Sequence, residues 1–403
     1  MIERPYYLNQ LISSMNNDII KVITGVRRCG KSVLMMQYRD YLRQQGVAAE
    51  DIIYLNFEAF ELSRIRTEDQ LHDLLGERLV KERQQYLLID EIQYVPGWQR
   101  VINGVRVSFT VDIVITGSNA MMLSGELATL LAGRYIQIPI YPLSFAEFLT
   151  GKGIDYDDVR RLDAAFREYE EYGGFPAVVT ADNQQLKENL LSGIYNTILL
   201  KDVASRAAVR DMSVLESLTA YLADNVGQLV SVSKIVGTLN NEKVATNINT
   251  INRYLRLLED AFLFYRVQQY DLRGRSYLRT AGKYFIVDNG LRNTAVDLRR
   301  GNNSNRLENI VYLELLRRGY SVDVGRLDDV EIDFVARNRD DVQYVQVTYQ
   351  LPNNTHETDN LLKVPDNYAK TVVTQQHYEI TQVAGIPIVN VVDWLLAPVR
   401  KEQ

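Results

Sequence analysis

A chain of 403 residues exceeds what one hydrophobic core usually serves, so two or three domains are expected; with 46% hydrophobic and 24% charged residues, long disordered linkers are excluded. The net charge of -6 excludes a uniformly basic nucleic-acid binder, and no apolar run or basic leader suggests a membrane span or signal peptide, so a cytoplasmic location is expected. One cysteine (Cys29) and three histidines (His72, His356, His377) rule out an internal disulfide and leave too few ligands for a zinc cage.

In chain order, Asp18 to Thr24 is a β-branched apolar strand, followed at once by a glycine-rich loop and by the amphipathic helix that opens at Ser32. Further apolar strands are expected at Ile52–Phe57, Tyr86–Asp90 and Val111–Thr116, each separated by helix-compatible sequence, which predicts a parallel sheet covered on both faces. From Val159 to Asp211 the pattern is helical, broken by Gly173-Gly174-Phe175-Pro176. Val214 to Val267 then predicts three short helices and a strand at Ala261–Val267, the order of a winged helix. Beyond this come a strand at Tyr284–Val287, a helix from Asn305 to Arg318 stopped by Gly319, and strands at Glu331–Ala336, Gln343–Thr348 and Ile388–Val392. The expected division is an ATPase core over 1–150, a helical lid over 151–211, a winged helix over 212–275 and an α/β domain over 276–403.

The loop reads Gly25-Val26-Arg27-Arg28-Cys29-Gly30-Lys31-Ser32. Gly25 and Gly30 permit backbone angles that turn successive N–H groups inward, and the helix N-terminus reached at Val33 adds positive potential for phosphates. Lys31 then meets the β- and γ-phosphates of ATP, and Ser32 offers its hydroxyl to Mg2+. Asp90 closes an apolar strand and precedes Glu91, which assigns Asp90 to Mg2+ and Glu91 to activating the attacking water. After the next strand, Asn119 or Ser118 could reach the γ-phosphate or the water, or could cap a helix. Arg134 could stabilise transition-state charge on a neighbouring subunit's nucleotide, or could serve a structural ion pair.

These segments (Thr-Gly-Val-Arg-Arg-Cys-Gly-Lys-Ser, Leu-Leu-Ile-Asp-Glu-Ile-Gln, Ile-Thr-Gly-Ser-Asn-Ala and Leu-Ala-Gly-Arg-Tyr) resemble, in combination and order, the bacterial and archaeal AAA+-like ATPases with a C-terminal DUF4143 domain. Tyr172-Gly-Gly-Phe-Pro and Glu331-Ile-Asp-Phe-Val extend the resemblance over nearly the whole chain. It implies ATP and ADP as ligands and a homo-oligomer, a ring with the hexamer among the candidates, in which Arg134 acts in trans. It also implies that Gly174-Phe175-Pro176 packs near the adenine, with Pro176 in contact, although a helix–helix turn is the alternative. No second sensor arginine is evident.

Between Val244 and Glu259, Ile248, Ile251, Leu255 and Leu258 form one apolar helix face, and Asn247, Asn249, Asn252, Arg253 and Arg256 lie on the other. Asn and Arg read base edges or bind phosphates, so this helix is a candidate DNA contact; a protein-binding face is the alternative. In the last domain the order Glu308, Glu331, Asp333, Gln346, Thr348 resembles the restriction-endonuclease-like PD-(D/E)xK core. Gln346 stands where an acid is expected and Thr348 where a lysine is, so cleavage chemistry is expected to be lost. The functional expectation is therefore an α/β, AAA+-like oligomeric ATPase acting on DNA, with a nucleotide-controlled switch that binds protein partners as the alternative.

Overall fold

Five strands carry the β-branched residues of the N-terminal third into one parallel sheet. After helix α1 (Pro5–Ser13) these are β1 (Ile20–Thr24), β2 (Ile52–Asn56), β3 (Gln85–Asp90), β4 (Val111–Gly117) and β5 (Tyr135–Pro139), in the order β2-β3-β4-β1-β5. All five residues of β1 and all six of β3 are buried, as expected of strands covered on both faces. Helices α2 (Lys31–Gln44), α3 (Glu68–Arg78) and α4 (Trp98–Ser108) supply the cover. The capping box of Thr67 and Gln70 starts α3. On α4, Trp98, Val101, Ile102 and Val105 fall on one stripe and join Leu71 and Leu75 against Leu55, Leu87, Ile89 and Ile113.

The computed structural model describes residues 1–120, 131, 133–205, 209, 211–296, 303–339, 341–351 and 356–397. It divides the chain into two compact units, Met1–Ile140 with Asp260–Phe262, and Tyr141–Glu259 with Leu263–Gln403. The first unit thus closes ten residues before the expected boundary at 150.

The second unit opens with α5 (Phe145–Lys152), α6 (Val159–Tyr172), the single turn α7 (Pro176–Val179) and α8 (Gln184–Thr197), which runs into a π-helical stretch, Ile198–Ala204. Next come α9 (Met212–Asp224), β6 (Leu229–Val230), α10 (Val232–Asn241), α11 (Ile248–Asp260), β7 (Phe264–Asp271) and β8 (Ser276–Ile286). Then follow α12 (Asn289–Ala295), α13 (Asn303–Arg317), β9 (Ser321–Leu327), β10 (Val330–Arg337), β11 (Val342–Thr348), α14 (His356–Leu362), β12 (Ala369–Thr374), β13 (Gln382–Val383), β14 (Ile386–Asn390) and α15 (Val391–Leu396). One sheet takes all nine strands, in the order β13-β14-β12-β11-β10-β9-β7-β8-β6. The boundary expected at 275/276 therefore falls inside the β7–β8 hairpin, whose strands pair with each other while β7 also pairs with β9.

Several element ends differ from expectation for local reasons. Strand β7 starts at Phe264 because Phe262 holds a positive φ of 55°, which no strand continues through. Helix α11 starts at Ile248 because the Asn247 side chain accepts the Thr250 N–H at 3.0 Å. The strand expected over Ile388–Val392 stops at Asn390, whose side chain accepts the Val392 N–H at 2.8 Å and starts α15.

Candidate functional site

The turn after β1 is shaped by two glycines. Gly25 holds φ 152°, and a Cβ there would stand 2.2 Å from the Ile140 carbonyl oxygen, so no side chain fits; Gly30 caps α2 at φ 108°. Between them Arg28 is exposed with φ 67°, a costly conformation for a side-chain-bearing residue. Val26 and Cys29 are fully buried, and burial raises the Cys29 thiol above its ordinary value. Arg27 pairs with Glu58 at 2.7 Å, and Val33 is half-buried on the first turn of α2. The Lys31 ammonium, 3% exposed, donates to the carbonyls of Gly25 and Val26 at 3.2 Å each and lies 3.4 Å from Glu91 Oε1.

The two carboxylates follow one another at the C-terminal end of β3. Asp90 is buried beside Ser32 and accepts the Thr116 hydroxyl at 2.5 Å and the Tyr54 hydroxyl at 3.4 Å. Burial raises its carboxyl above the ordinary range, against the pull of the Ser32 and Thr116 hydrogen bonds. Glu91 turns the chain at φ 55°. Burial alone would push its carboxyl up, but the Lys31 ammonium, Gln93 and Arg27 hold it below its ordinary value, ionised. Its Oε2 accepts the Ser118 hydroxyl at 3.2 Å and the Gln93 amide. Asn119 is buried next to Ser118 on the same turn.

Asp90, Glu91, Lys31, Ser32 and Ser118 are thus brought together. Ser32 and Asp90, side by side, offer hard oxygen donors of the type Mg2+ takes, so the residues present fit that ion. Arg134 is exposed and directly precedes β5, its carbonyl accepting the Ile20 N–H at 2.9 Å. Leu130 and Ala132 of its motif lie outside the described residues.

Two contributors were assigned no role by the sequence. Thr116, fully buried, donates to Asp90 Oδ1 while its oxygen accepts the Glu91 N–H at 2.9 Å, so one hydroxyl ties both acidic residues to β4. A polar residue ending an apolar strand beside β3 was the available cue. Arg4, 2% exposed, donates to the Cys29 carbonyl at 3.2 Å and lies 4.5 Å over the Tyr7 ring, bracing the loop from behind. Nothing in the sequence near Arg4 announces this.

In the second unit, Pro176 opens α7 and Phe175 is buried completely. Gly174 donates to Asp288 Oδ2 at 2.7 Å, and its own carbonyl accepts the Leu143 N–H at 2.7 Å, so the Gly-Phe-Pro segment is fixed within this unit. On α11, Asn249, Asn252, Arg253 and Arg256 are exposed, while Asn247 is engaged as the cap. Ile251, Leu255 and Leu258 are buried as expected, but Ile248 is 50% exposed, because it stands on the first turn of the helix. Glu308, Glu331 and Asp333 converge, and Gln346 accepts the Asp333 N–H at 3.3 Å. Thr348, on the same strand as Gln346, donates to the Gln350 carbonyl at 2.8 Å. Among the described residues no group of three His, Cys, Asp or Glu side chains is set to hold a metal ion, and no helix is long and apolar enough to cross a membrane.

The AAA domain family matches residues 17–149, and a domain of unknown function, DUF8612, matches residues 163–302; the latter stands where the sequence resemblance suggested DUF4143. An uncharacterized protein of Haemophilus influenzae is 58% identical over 98% of this chain and 99% of its own length. One from Methanocaldococcus jannaschii is 29% identical over 84% of this chain and 76% of its own. A Walker-type ATPase of Pyrococcus abyssi, 14% identical, superposes with a TM-score of 0.50 over 73% of this chain and 96% of its own. The chain belongs to one family with the Haemophilus influenzae protein, and its N-terminal unit has the AAA-type P-loop ATPase fold.

Proposed function

We propose that the protein hydrolyses Mg-ATP and couples the hydrolysis to binding or remodelling DNA. The observation that carries the ATPase reading is the ionised Glu91, held 3.4 Å from the loop lysine and oriented by Ser118 and Gln93 at the end of β3. In this reading Gly25 to Val33 wrap the phosphates and Lys31 exchanges its carbonyl contacts for phosphate oxygens. Glu91 accepts the proton of the attacking water. Ser32 and Asp90 would hold Mg2+, which would neutralise charge on the phosphates. Asn119 and Ser118 border the place of the γ-phosphate. Arg134, exposed just before the edge strand β5, would serve a neighbouring copy in a homo-oligomeric ring.

The DNA reading is supported by the order α9, β6, α10, α11, β7, β8, with β6 and β7 both antiparallel to β8. That is the order of a winged helix, in which α11 is the helix offered to the major groove and the β7–β8 turn, carrying exposed Arg273 and Arg275, is the wing. The test is ATP turnover by the purified protein with and without duplex, single-stranded or branched DNA. At least a tenfold stimulation, lost in Arg253→Ala/Arg256→Ala with basal turnover retained, is expected. No stimulation by any nucleic acid, with a stable nucleotide-locked oligomer, would instead establish the protein as a nucleotide-controlled switch.

A further inference from the structure

The residues aligned with a nuclease core lead to a cation that the sequence order does not reveal. Lys283 lies on β8, 25 positions before Glu308 and 50 before Asp333, so no helix or strand periodicity links it to them, yet its ammonium stands where Glu308 of α13 and Glu331 and Asp333 of β10 converge. Nζ is 2.7 Å from Glu331 Oε1, 3.6 Å from Glu308 Oε2 and 4.0 Å from Asp333 Oδ1. Lys283 is 3% exposed and Asp333 7%, and the side chain of Glu331 alone, 37% exposed, opens on solvent.

The surrounding atoms leave little freedom. Asp333 Oδ2 accepts the Val347 N–H at 2.8 Å, and Gln346 takes the Asp333 N–H. A Cβ on Gly227 would come within 2.6 Å of Glu308 Oε2, so backbone closes that side. Burial opposes a charge on Lys283, but Glu308, Asp333 and Glu331 together hold its ammonium protonated well above the ordinary range. A divalent ion needs several oxygens within about 2.0–2.6 Å of one point, and that point is filled by a group that cannot dissociate.

We propose that Lys283 is a tethered, resident cation in the carboxylate cluster of Glu308, Glu331 and Asp333, so that this site is closed to divalent metal ions and serves as a charged bolt joining β8, α13 and β10. The consequence is that a loss of nuclease chemistry does not rest on Gln346 and Thr348 alone: the position a metal would need is already taken.

The test is metal binding by the nucleotide-free full chain. Manganese, followed by its paramagnetic resonance, should show no stoichiometric ion sensitive to Asp333→Asn in the natural protein. Lys283→Ala should lose about 10 °C in Tm, because Glu331 and Asp333 are left uncompensated beside Glu308, whose carboxyl burial already raises to about 8. Millimolar Ca2+ or Mn2+ should restore most of it, more than equal ionic strength of K+, and adding Glu308→Gln and Glu331→Gln should abolish the rescue. A stoichiometric manganese in the natural protein that Asp333→Asn removes would overturn the proposal, and so would a Lys283→Ala protein that no divalent ion restores. If Lys283→Ala does not fold, the manganese measurement on the natural protein and Asp333→Asn decides alone.

Discussion

Replacing Thr116 by valine keeps the shape of the side chain and removes one hydroxyl from a completely buried position. Two hydrogen bonds go with it: the donation to Asp90 Oδ1 at 2.5 Å and the acceptance of the Glu91 N–H at 2.9 Å. A bond to a charged group contributes roughly 1.5–3 kcal/mol, and an orphaned buried N–H costs about 1–3 kcal/mol, so the change should cost about 3–5 kcal/mol. The left-handed backbone at Glu91 makes relaxation harder, because the N–H has no rotatable group with which to find a new partner. Urea unfolding should register this loss, and Mg-ATP turnover should fall about 10- to 100-fold through misplacement of both acids, which corresponds to roughly 1.4–2.7 kcal/mol expressed in the transition state. Thr116→Ser, which restores the hydroxyl, should recover most of both. A Thr116→Val protein within twofold of the natural one in turnover and within about 0.5 kcal/mol in stability would refute the idea that this hydroxyl organises the acidic pair.

Three further outcomes are expected. Glu91→Gln should bind ATP and hydrolyse it at least 100-fold more slowly; loss of binding, measured by calorimetry, would give Glu91 a different role. If Arg134 acts on a neighbour's nucleotide, mixing Arg134→Ala with Glu91→Gln chains should restore part of the activity, and no recovery in oligomers shown to be mixed counts against it. Asp288 is a third case: burial raises its carboxyl from 3.8 to about 6 despite N–H bonds from Gly174, Gly290 and Leu291. A carboxyl raised in the folded state contributes stability that is fully present below about pH 4 and lost as pH rises through 6, so relative to Asp288→Asn the natural protein should gain roughly 2.4 kcal/mol between pH 7 and pH 4. A pH-independent difference in denaturant unfolding would contradict the buried carboxylate.

The strands legible in the sequence are those with unbroken apolar runs, and the unforeseen ones lack such runs. β1 and β3 read plainly because both faces are covered, whereas β5 (Tyr-Ile-Gln-Ile-Pro) alternates and sits at the edge of the sheet. β9, with Asp323 and Arg326 among its seven residues, hides in the same way. The phosphate loop was readable because its chemistry forces glycine, lysine and serine into fixed spacing. Thr116, Arg4 and Lys283 were not, because each reaches its partner across the fold: Thr116 across 26 positions to Asp90, Arg4 across 25 to Cys29. A single residue contributed at long range leaves no spacing to read.

Two lysines show how the same side chain is used in opposite ways. Lys31 and Lys283 are both 3% exposed and both face carboxylates. Lys31 meets one carboxylate at 3.4 Å and otherwise donates to two backbone carbonyls, neutral acceptors that phosphate oxygens would replace with a gain in charge attraction. Lys283 meets three carboxylates within 4.0 Å, and no incoming anion could improve on them. Exchangeable partners would suit the first lysine to binding; charged, tethered partners would suit the second to a structural role. The distinction lies in what each ammonium would give up, which is why burial and ion pairing alone do not identify a functional lysine.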